Sequence, residues 1–113
     1  LWGTGTPLRE FLYVDDLADA LVFLLKNYSG ESPINVGSGV ETSIAALARE
    51  IAAVTGYDGE IKFDPAMPDG TPRKLMDSGR INALGWRART GLHDWLQNAY
   101  ADYLKKVDRR DAV

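Results

Sequence analysis

Cysteine is absent from the 113-residue chain, which excludes disulfides, thiolate nucleophiles and Cys-ligated zinc or iron–sulfur sites. The same absence fits a reducing compartment, and we expect a cytoplasmic protein. The single histidine, His93, has no spaced cluster of carboxylates near it, so we predict no metal site. A surface position beside Asp94 is favoured for His93 over a role as general base or metal ligand.

Long apolar runs and a strong excess of one charge are also missing. The longest apolar stretch, 17–25, is shorter than the roughly 20 residues that a membrane-spanning helix needs. Thirteen basic and sixteen acidic residues give a net charge of −3. We therefore predict no membrane span, and no nucleic acid or anionic membrane as a partner.

The remaining composition is that of a globular domain, with 45% apolar and 26% charged residues. Helical and strand patterns alternate, which favours an α/β fold with about three main helices and short strands. The strands are too few and too short for a complete doubly wound domain. Because the chain starts at Leu1 within a pattern and without an initiator Met, we expect a fragment of a longer protein.

Apolar periodicity and end signals predict the individual elements. We expect helices over 17–26, 44–54 and 92–107, a helical turn over 79–84, strands over 9–14, 34–36 and 60–63, and an extended segment over 72–76. Asp15 and Asp16 are candidate N-caps of the first helix, and Thr42 or Ser43 of the second. Because the first helix is apolar on all sides, something should pack over it.

Two short patterns allow a chemical interpretation beside a structural one. Asp15 and Asp16 could be an acid–base pair, but adjacent side chains on a helix do not face each other, so capping is favoured. The sequences Gly3-Thr4-Gly5 and Gly37-Ser38-Gly39 each contain G-x-G without a third glycine at the dinucleotide spacing. Phosphate binding and a flexible turn both remain open for these loops.

Cations lie on two segments rich in glycine and proline. In 68–74, PDGTPRK, adjacent Arg73 and Lys74 should point to opposite sides, one towards a cleft and the other towards solvent or a carboxylate. A cation on a rigid loop suits phosphate or sugar hydroxyls, and a solvated loop is the alternative. Trp2 and Arg9 flank the first loop, offering a flat face and a bidentate fork, or simply a partly buried ring and a surface charge.

Three stretches together resemble one family over about residues 1–104. They read WGTGTPLREFLYVDDLADAL, PINVGSGVETSIAALAREIAAVTGY and FDPAMPDGTPRKLMDSGRINALGW. The chain resembles the C-terminal part of the GDP-L-fucose synthase family, in the extended short-chain dehydrogenase/reductase superfamily. The R-E-F-x-x-V-D-D piece is shared by many nucleotide-sugar epimerases and dehydratases, whereas D-G-T-P-R-K-x-x-D followed by L-G-W is more specific to this family.

The resemblance implies a Rossmann half that binds NADP(H) and a smaller C-terminal part that binds a GDP-sugar. It implies substrate-binding roles for Trp2, Arg9, Asp69 and Lys74. Arg9 and Lys74 would face the diphosphate and ribose, Trp2 the sugar or nucleotide, and Asp69 the hydroxyls. The implied parent reaction is epimerisation and NADPH-dependent reduction of GDP-4-keto-6-deoxy-D-mannose to GDP-L-fucose.

The chain departs from the family pattern, because it has no Gly-rich NADP fingerprint and no Tyr-x-x-x-Lys pair. We therefore assign no catalytic, cofactor-binding or metal-binding residue and expect the chain alone to be inactive. Residues 1–107 would form the substrate-binding portion and 108–113 a polar tail. The uncovered first helix would pack on the missing Rossmann half or on a second copy in a homodimer. Alternatives are a stand-alone binding or oligomerisation module, or a fragment of another nucleotide-sugar epimerase or dehydratase.

Overall fold

A computed structural model describes residues 1–111 and shows a small α/β arrangement of helices around a short sheet. The elements are β1 (Leu8–Glu10), α1 (Val14–Asn27), β2 (Glu41–Ser43), α2 (Ile44–Thr55), β3 (Arg73–Lys74), α3 (Gly79–Leu84) and α4 (Leu92–Asp111). The predicted fold class is confirmed.

The sheet has three strands in the order β2-β1-β3, so the N-terminal strand lies at its centre. Strand β2 is antiparallel to β1, with Arg9 opposite Thr42. Strand β3 is parallel to β1, with Leu8 beside Arg73 and Arg9 beside Lys74. Because β2 and β3 flank β1, the start of α2 and the segment 68–74 lie on either side of the strand that follows the first loop.

Local end signals correctly predict the limits of α2 and α3. The Ser43 hydroxyl accepts a hydrogen bond from the backbone N–H of Ala46 at 3.1 Å, which caps α2. Gly56 ends α2 with φ 72° and Gly85 ends α3 with φ 111°, a left-handed conformation that glycine adopts without steric cost.

The capping prediction for α1 is wrong. The helix begins at Val14, three residues before the predicted start, and its N-cap Tyr13 makes no side-chain cap bond. Asp15 and Asp16 lie in the first turn, where negative charge is favoured by the helix dipole. Asp16 instead accepts hydrogen bonds from the backbone N–H and the hydroxyl of Thr90, both at 3.0 Å, and so joins α1 to the start of α4.

The strands predicted over 34–36 and 60–63 are absent, and the predicted 9–14 strand is confined to 8–10. A strand needs a neighbour for its hydrogen bonds. Residues 34 and 36 pack their side chains on the core without one. The 60–63 segment leads to a single bridge, in which Asp64 N–H donates to Leu1 O at 2.7 Å and Gly3 N–H donates to Asp64 O at 2.8 Å.

Helix α4 continues through Asp111, four residues beyond the predicted end at 107. Residues 108–111 of the predicted polar tail are therefore helical, and 112–113 lie outside the described residues. Trp95 of α4 stacks on Tyr13 with 6.3 Å between ring centroids, which packs the helix against the segment before α1.

The core is small for a chain of this length. Ala20, Ile81 and Trp86 are buried, and partly buried apolar side chains from α1 and three loop segments surround them. The radius of gyration is 17.2 Å, against about 13 Å for a compact domain of similar size. On α1, Leu21 is 54% exposed and Leu25 is 85% exposed. The expectation of an uncovered apolar surface on α1 is confirmed.

Candidate functional site

Arg9 on β1 and Lys74 on β3 are register partners that line one cleft. Register partners share a face of a sheet because side chains alternate along each strand, so Arg9 and Lys74 extend the same way from strands about 4.8 Å apart. They open on a cleft of about 440 Å³, which we call the Arg9–Lys74 cleft and which is also lined by Glu10, Leu75 and Met76. Neither cation has a carboxylate oxygen within 4 Å among the described side chains.

Arg73, although adjacent to Lys74, is used elsewhere. Its Nε donates a hydrogen bond to the Glu41 carboxylate on β2. That carboxylate raises the pKa of the Arg73 guanidinium through the hydrogen bond and the opposite charge. As predicted, one cation of the pair, Lys74, lines a cleft, and the other, Arg73, faces a carboxylate, which is one of the two surroundings that the sequence left open for it.

Asp69 joins the 68–74 segment to the first loop. Its Oδ1 accepts from the backbone N–H of Thr4 at 2.6 Å, and its Oδ2 accepts from the Thr4 hydroxyl at 2.8 Å. The approach is so close that a Cβ on Gly3, at φ 79°, would collide with Oδ1. A glycine is therefore required at position 3. Each carboxylate oxygen of Asp69 can still accept another hydrogen bond. Binding of sugar hydroxyls by Asp69 stays a prediction.

Of the four predicted site residues, Arg9 and Lys74 line the cleft, and Trp2 and Asp69 do not. Trp2 is 69% exposed and belongs to the loop that Asp69 holds. Gly70, next to Asp69, approaches Arg9, since a Cβ there would lie 3.7 Å from Arg9 Nη2. The structure thus brings Arg9 and Lys74 together directly, and it joins Asp69 and Trp2 to them through backbone.

Glu10 is a member of this cleft that the sequence did not single out. Its Oε2 accepts from Gly39 N–H at 2.8 Å and its Oε1 from Met76 N–H at 3.3 Å. A Cβ on Gly37 would lie 2.6 Å from Oε1, so the 37–39 loop rests on the carboxylate. No local pattern marks these contacts, because the partners are distant in the chain.

His93 lies on the surface, as favoured, but its partner is Glu50 rather than Asp94. The Nδ1 atom is 3.0 Å from Glu50 Oε2, which links α4 to α2. Within the described part of the chain, no group of three or more His, Cys, Asp or Glu side chains could hold a metal ion. None of the helices described there is both long enough and apolar enough to cross a membrane.

A second charged cleft, of about 460 Å³, lies between α1 and the segment 85–89. It contains Lys26, Arg87 and Arg89, but Asp19 also lines it. Lys26 lies in the last turn of α1, where the negative end of the helix dipole already favours a cation and opposes an anion. Each cleft includes one carboxylate, Asp19 here and Glu10 in the Arg9–Lys74 cleft, so the helix dipole at Lys26 is what makes this second cleft the weaker candidate for an anionic ligand.

Comparisons with known proteins identify the proteins that this chain resembles. Residues 1–37 match the NAD dependent epimerase/dehydratase family. The chain is 54% identical to GDP-L-fucose synthase 1 of Arabidopsis thaliana over 110 residues, which are 97% of this chain and 34% of that protein.

Solved structures of reductases and synthetases that act on GDP-sugars are also similar to this chain. A GDP-6-OMe-4-keto-L-xylo-heptose reductase from C. jejuni matches with a TM-score of 0.84 and 34% identity, over 94% of this chain and 33% of that one. A GDP-L-fucose synthetase from Naegleria fowleri, bound to NADP, matches with a TM-score of 0.79 and 28% identity over 86% and 32%. The chain spans about a third of the length of the curated relatives it matches. By sequence and fold the chain is therefore similar to GDP-L-fucose synthases and related reductases, over about a third of their length.

Proposed function

We propose that this chain is the GDP-sugar-binding portion of a GDP-L-fucose synthase and that the Arg9–Lys74 cleft receives the diphosphate. The observation that carries the proposal is the pairing of Arg9 and Lys74 on one sheet face without a carboxylate partner among the described side chains. Like charges placed opposite each other on neighbouring strands destabilise a sheet. A bound polyanion would offset the repulsion between the two cations. We therefore expect the ligand to stabilise the sheet when it binds.

The two cations suit a diphosphate by geometry as well as charge. Arg9 Nη1 donates to its neighbour's carbonyl, Leu8 O, at 2.7 Å, which orients the guanidinium while leaving other N–H groups free. A guanidinium binds phosphoryl oxygens through two parallel hydrogen bonds, and an ammonium adds a mobile point charge. The exposed ring of Trp2 offers a flat surface for the base or sugar, and Asp69 offers acceptors for hydroxyls.

The residues of this chain do not fit a dinucleotide phosphate. Each of its G-x-G loops directs a backbone N–H at a protein carboxylate, Thr4 towards Asp69 and Gly39 towards Glu10. A phosphate would have to displace these carboxylates. We therefore propose that NADP(H) is bound by a part of the parent enzyme outside this chain, and that the chain alone does not catalyse epimerisation or reduction.

The apolar surface of α1 is the second part of the proposal. Leu25 is 85% exposed and Leu21 is 54% exposed, although soluble monomers rarely expose large contiguous apolar patches. We propose that the rest of the parent enzyme covers this surface and that the isolated chain covers it by forming a homodimer. A cytoplasmic location is part of the proposal, because a chain without cysteine gains nothing from an oxidising compartment.

Calorimetric titration of the purified chain with GDP and with UDP tests the binding role. We expect saturable binding that is tighter for GDP and weakens as salt is raised, since the contacts are mainly ionic. Absorbance of NADPH, followed with the chain and the 4-keto sugar nucleotide, should stay constant. The absence of GDP binding, or measurable NADPH consumption, would contradict the proposal.

A further inference from the structure

Glu10 lies at the end of β1, at the rim of the Arg9–Lys74 cleft. It follows Arg9 on β1 and lines the same cleft as Arg9 and Lys74, yet it forms no ion pair with either within 4 Å. Its two oxygens bind backbone N–H groups instead, of Gly39 and of Met76. The Glu10 carboxylate therefore holds backbone segments around the cleft and does not neutralise Arg9 or Lys74.

The contact with Met76 extends the pairing of β1 and β3. Main-chain pairing of these strands has two register positions, Leu8 with Arg73 and Arg9 with Lys74. Two residues beyond Lys74, the Met76 N–H is held by the Glu10 carboxylate at 3.3 Å. The segment 75–76, which lines the cleft, is thus tied to β1 on the C-terminal side of Lys74.

The contact with Gly39 ties a third segment to the same carboxylate. Gly39 N–H donates to Oε2 at 2.8 Å, and Gly37 is so close that a side chain there would meet Oε1. A carboxylate that accepts two backbone N–H bonds is stronger as an acceptor than a neutral amide. Three segments, β1, 37–39 and 75–76, therefore converge on one side chain.

We propose that Glu10 is a positioning residue of the Arg9–Lys74 cleft, which holds Lys74 beside Arg9 through the backbone of residues 75–76. The proposal rests on the proposed function, because it explains how a GDP-binding pair of cations is kept in place. This positioning role differs from a direct effect of the Glu10 charge on the bound anion. A negative charge beside the cleft opposes anion binding, whereas a positioning group favours it, so the two roles predict opposite signs.

The substitution Glu10→Gln separates them. Glutamine keeps the size and one acceptor oxygen, but its NH₂ group would face a backbone N–H donor and lose that bond. Positioning predicts that GDP binds about fivefold or more weakly to this variant, as expected from the loss of one charge-assisted hydrogen bond. Loss of charge alone predicts unchanged or tighter binding.

Glu41→Gln is the matched control. Glu41 lies on the same sheet and its carboxylate partners Arg73, outside the cleft. We expect its GDP affinity to stay within about twofold of the wild-type value. Thermal unfolding of all variants checks that they are folded.

A double-mutant cycle with Lys74→Met distinguishes positioning from a general loss of structure. If Glu10 acts through Lys74, Glu10→Gln has no further effect on GDP affinity once Lys74 is replaced. An additive effect in that background, or wild-type affinity in Glu10→Gln alone, overturns the proposal. If the wild-type chain binds no GDP, the proposed function fails, and amide exchange then decides the role of Glu10. Faster exchange at Gly39 and Met76 in Glu10→Gln supports it, and unchanged exchange refutes it.

Discussion

Arg9 and Lys74 are neighbours across two parallel strands, whereas Arg73, one residue before Lys74, is bound to Glu41. Alternation along β3 separates two chemically similar cations into different surroundings. Arg73 is neutralised by Glu41, and Lys74 extends beside Arg9, which has no ion pair among the side chains of residues 1–109. This difference makes Lys74 and Arg73 a matched pair for mutation.

Replacing Lys74 with Met should weaken GDP binding about tenfold, because it removes one of the two charges and keeps the aliphatic stem. The salt dependence of the affinity should become shallower, since fewer ionic contacts are screened. Arg73→Met should leave both the affinity and its salt dependence near the wild-type values. Equal losses in the two variants, measured by calorimetry at several salt concentrations, would show that the cleft is not the binding site.

Gly3→Ala should destabilise the fold more than Gly39→Ala. Both glycines have similar left-handed φ values, 79° and 75°, but a Cβ at position 3 would collide with Asp69, whereas at position 39 nothing lies within 4 Å. We expect about 1–2 kcal/mol of backbone strain for each, and a further loss for Gly3 as the Asp69–Thr4 contact opens. Urea unfolding measures the difference, and equal midpoints would refute the close approach.

Asp16→Asn should cost about 1–3 kcal/mol of unfolding free energy, because Asp16 is 8% exposed and holds both the N–H and the hydroxyl of Thr90. Asp15→Asn, one position earlier on the exposed side of the same turn, should cause a much smaller loss. Chemical denaturation of the two variants compares them. Similar losses would mean that charge at the helix start, rather than the Thr90 contact, stabilises this region.

Leu25→Lys should reduce self-association of the isolated chain without lowering its stability, because Leu25 is 85% exposed. Val40→Lys, in an exposed loop away from α1, is the control and should leave self-association unchanged. Sedimentation over a range of protein concentrations gives the result. A wild-type chain that stays monomeric throughout would contradict the role of α1 as an interface.

Acid should weaken α4 through one ion pair. Lys106, 2.6 Å from Asp102 and four residues after it, lowers the pKa of that carboxyl by hydrogen bonding and charge. A carboxyl whose pKa is depressed on folding stabilises the fold above its unfolded pKa, and this stabilisation is lost as pH falls through the folded pKa. The Asp102→Asn variant should lack this component, as measured by helical circular dichroism during acid titration, and an identical titration curve would disprove it.

The parts of the fold that sequence predicted are those governed by neighbouring residues. Ser43 caps α2, and Gly56 and Gly85 end their helices, because each acts within a few residues of its partner. The segments 34–36 and 60–63 have strand-like composition but no adjacent strand to pair with over more than a single bridge. Strand formation depends on tertiary neighbours that composition does not specify.

The candidate site also has a part that the sequence predicted and a part that it did not. Alternation predicted that one of Arg73 and Lys74 would face a cleft and the other solvent or a carboxylate, but only the register of β2, β1 and β3 shows which cation is which. The contacts of Glu10 with Met76 and of Asp16 with Thr90 join residues far apart in the chain. Sequence spacing does not predict contacts between residues so far apart in the chain, so these contacts could be identified only from the fold.

The most direct test of the GDP-sugar-binding role is residue-resolved NMR of the chain titrated with GDP. The account predicts that the largest shifts occur together at the Trp2 indole N–H, the Gly70 amide, and the side chains of Arg9 and Lys74. Shifts concentrated instead along α2, in the apolar groove of about 420 Å³ that includes Ile51 and Tyr57, would contradict it, as would no shifts at all.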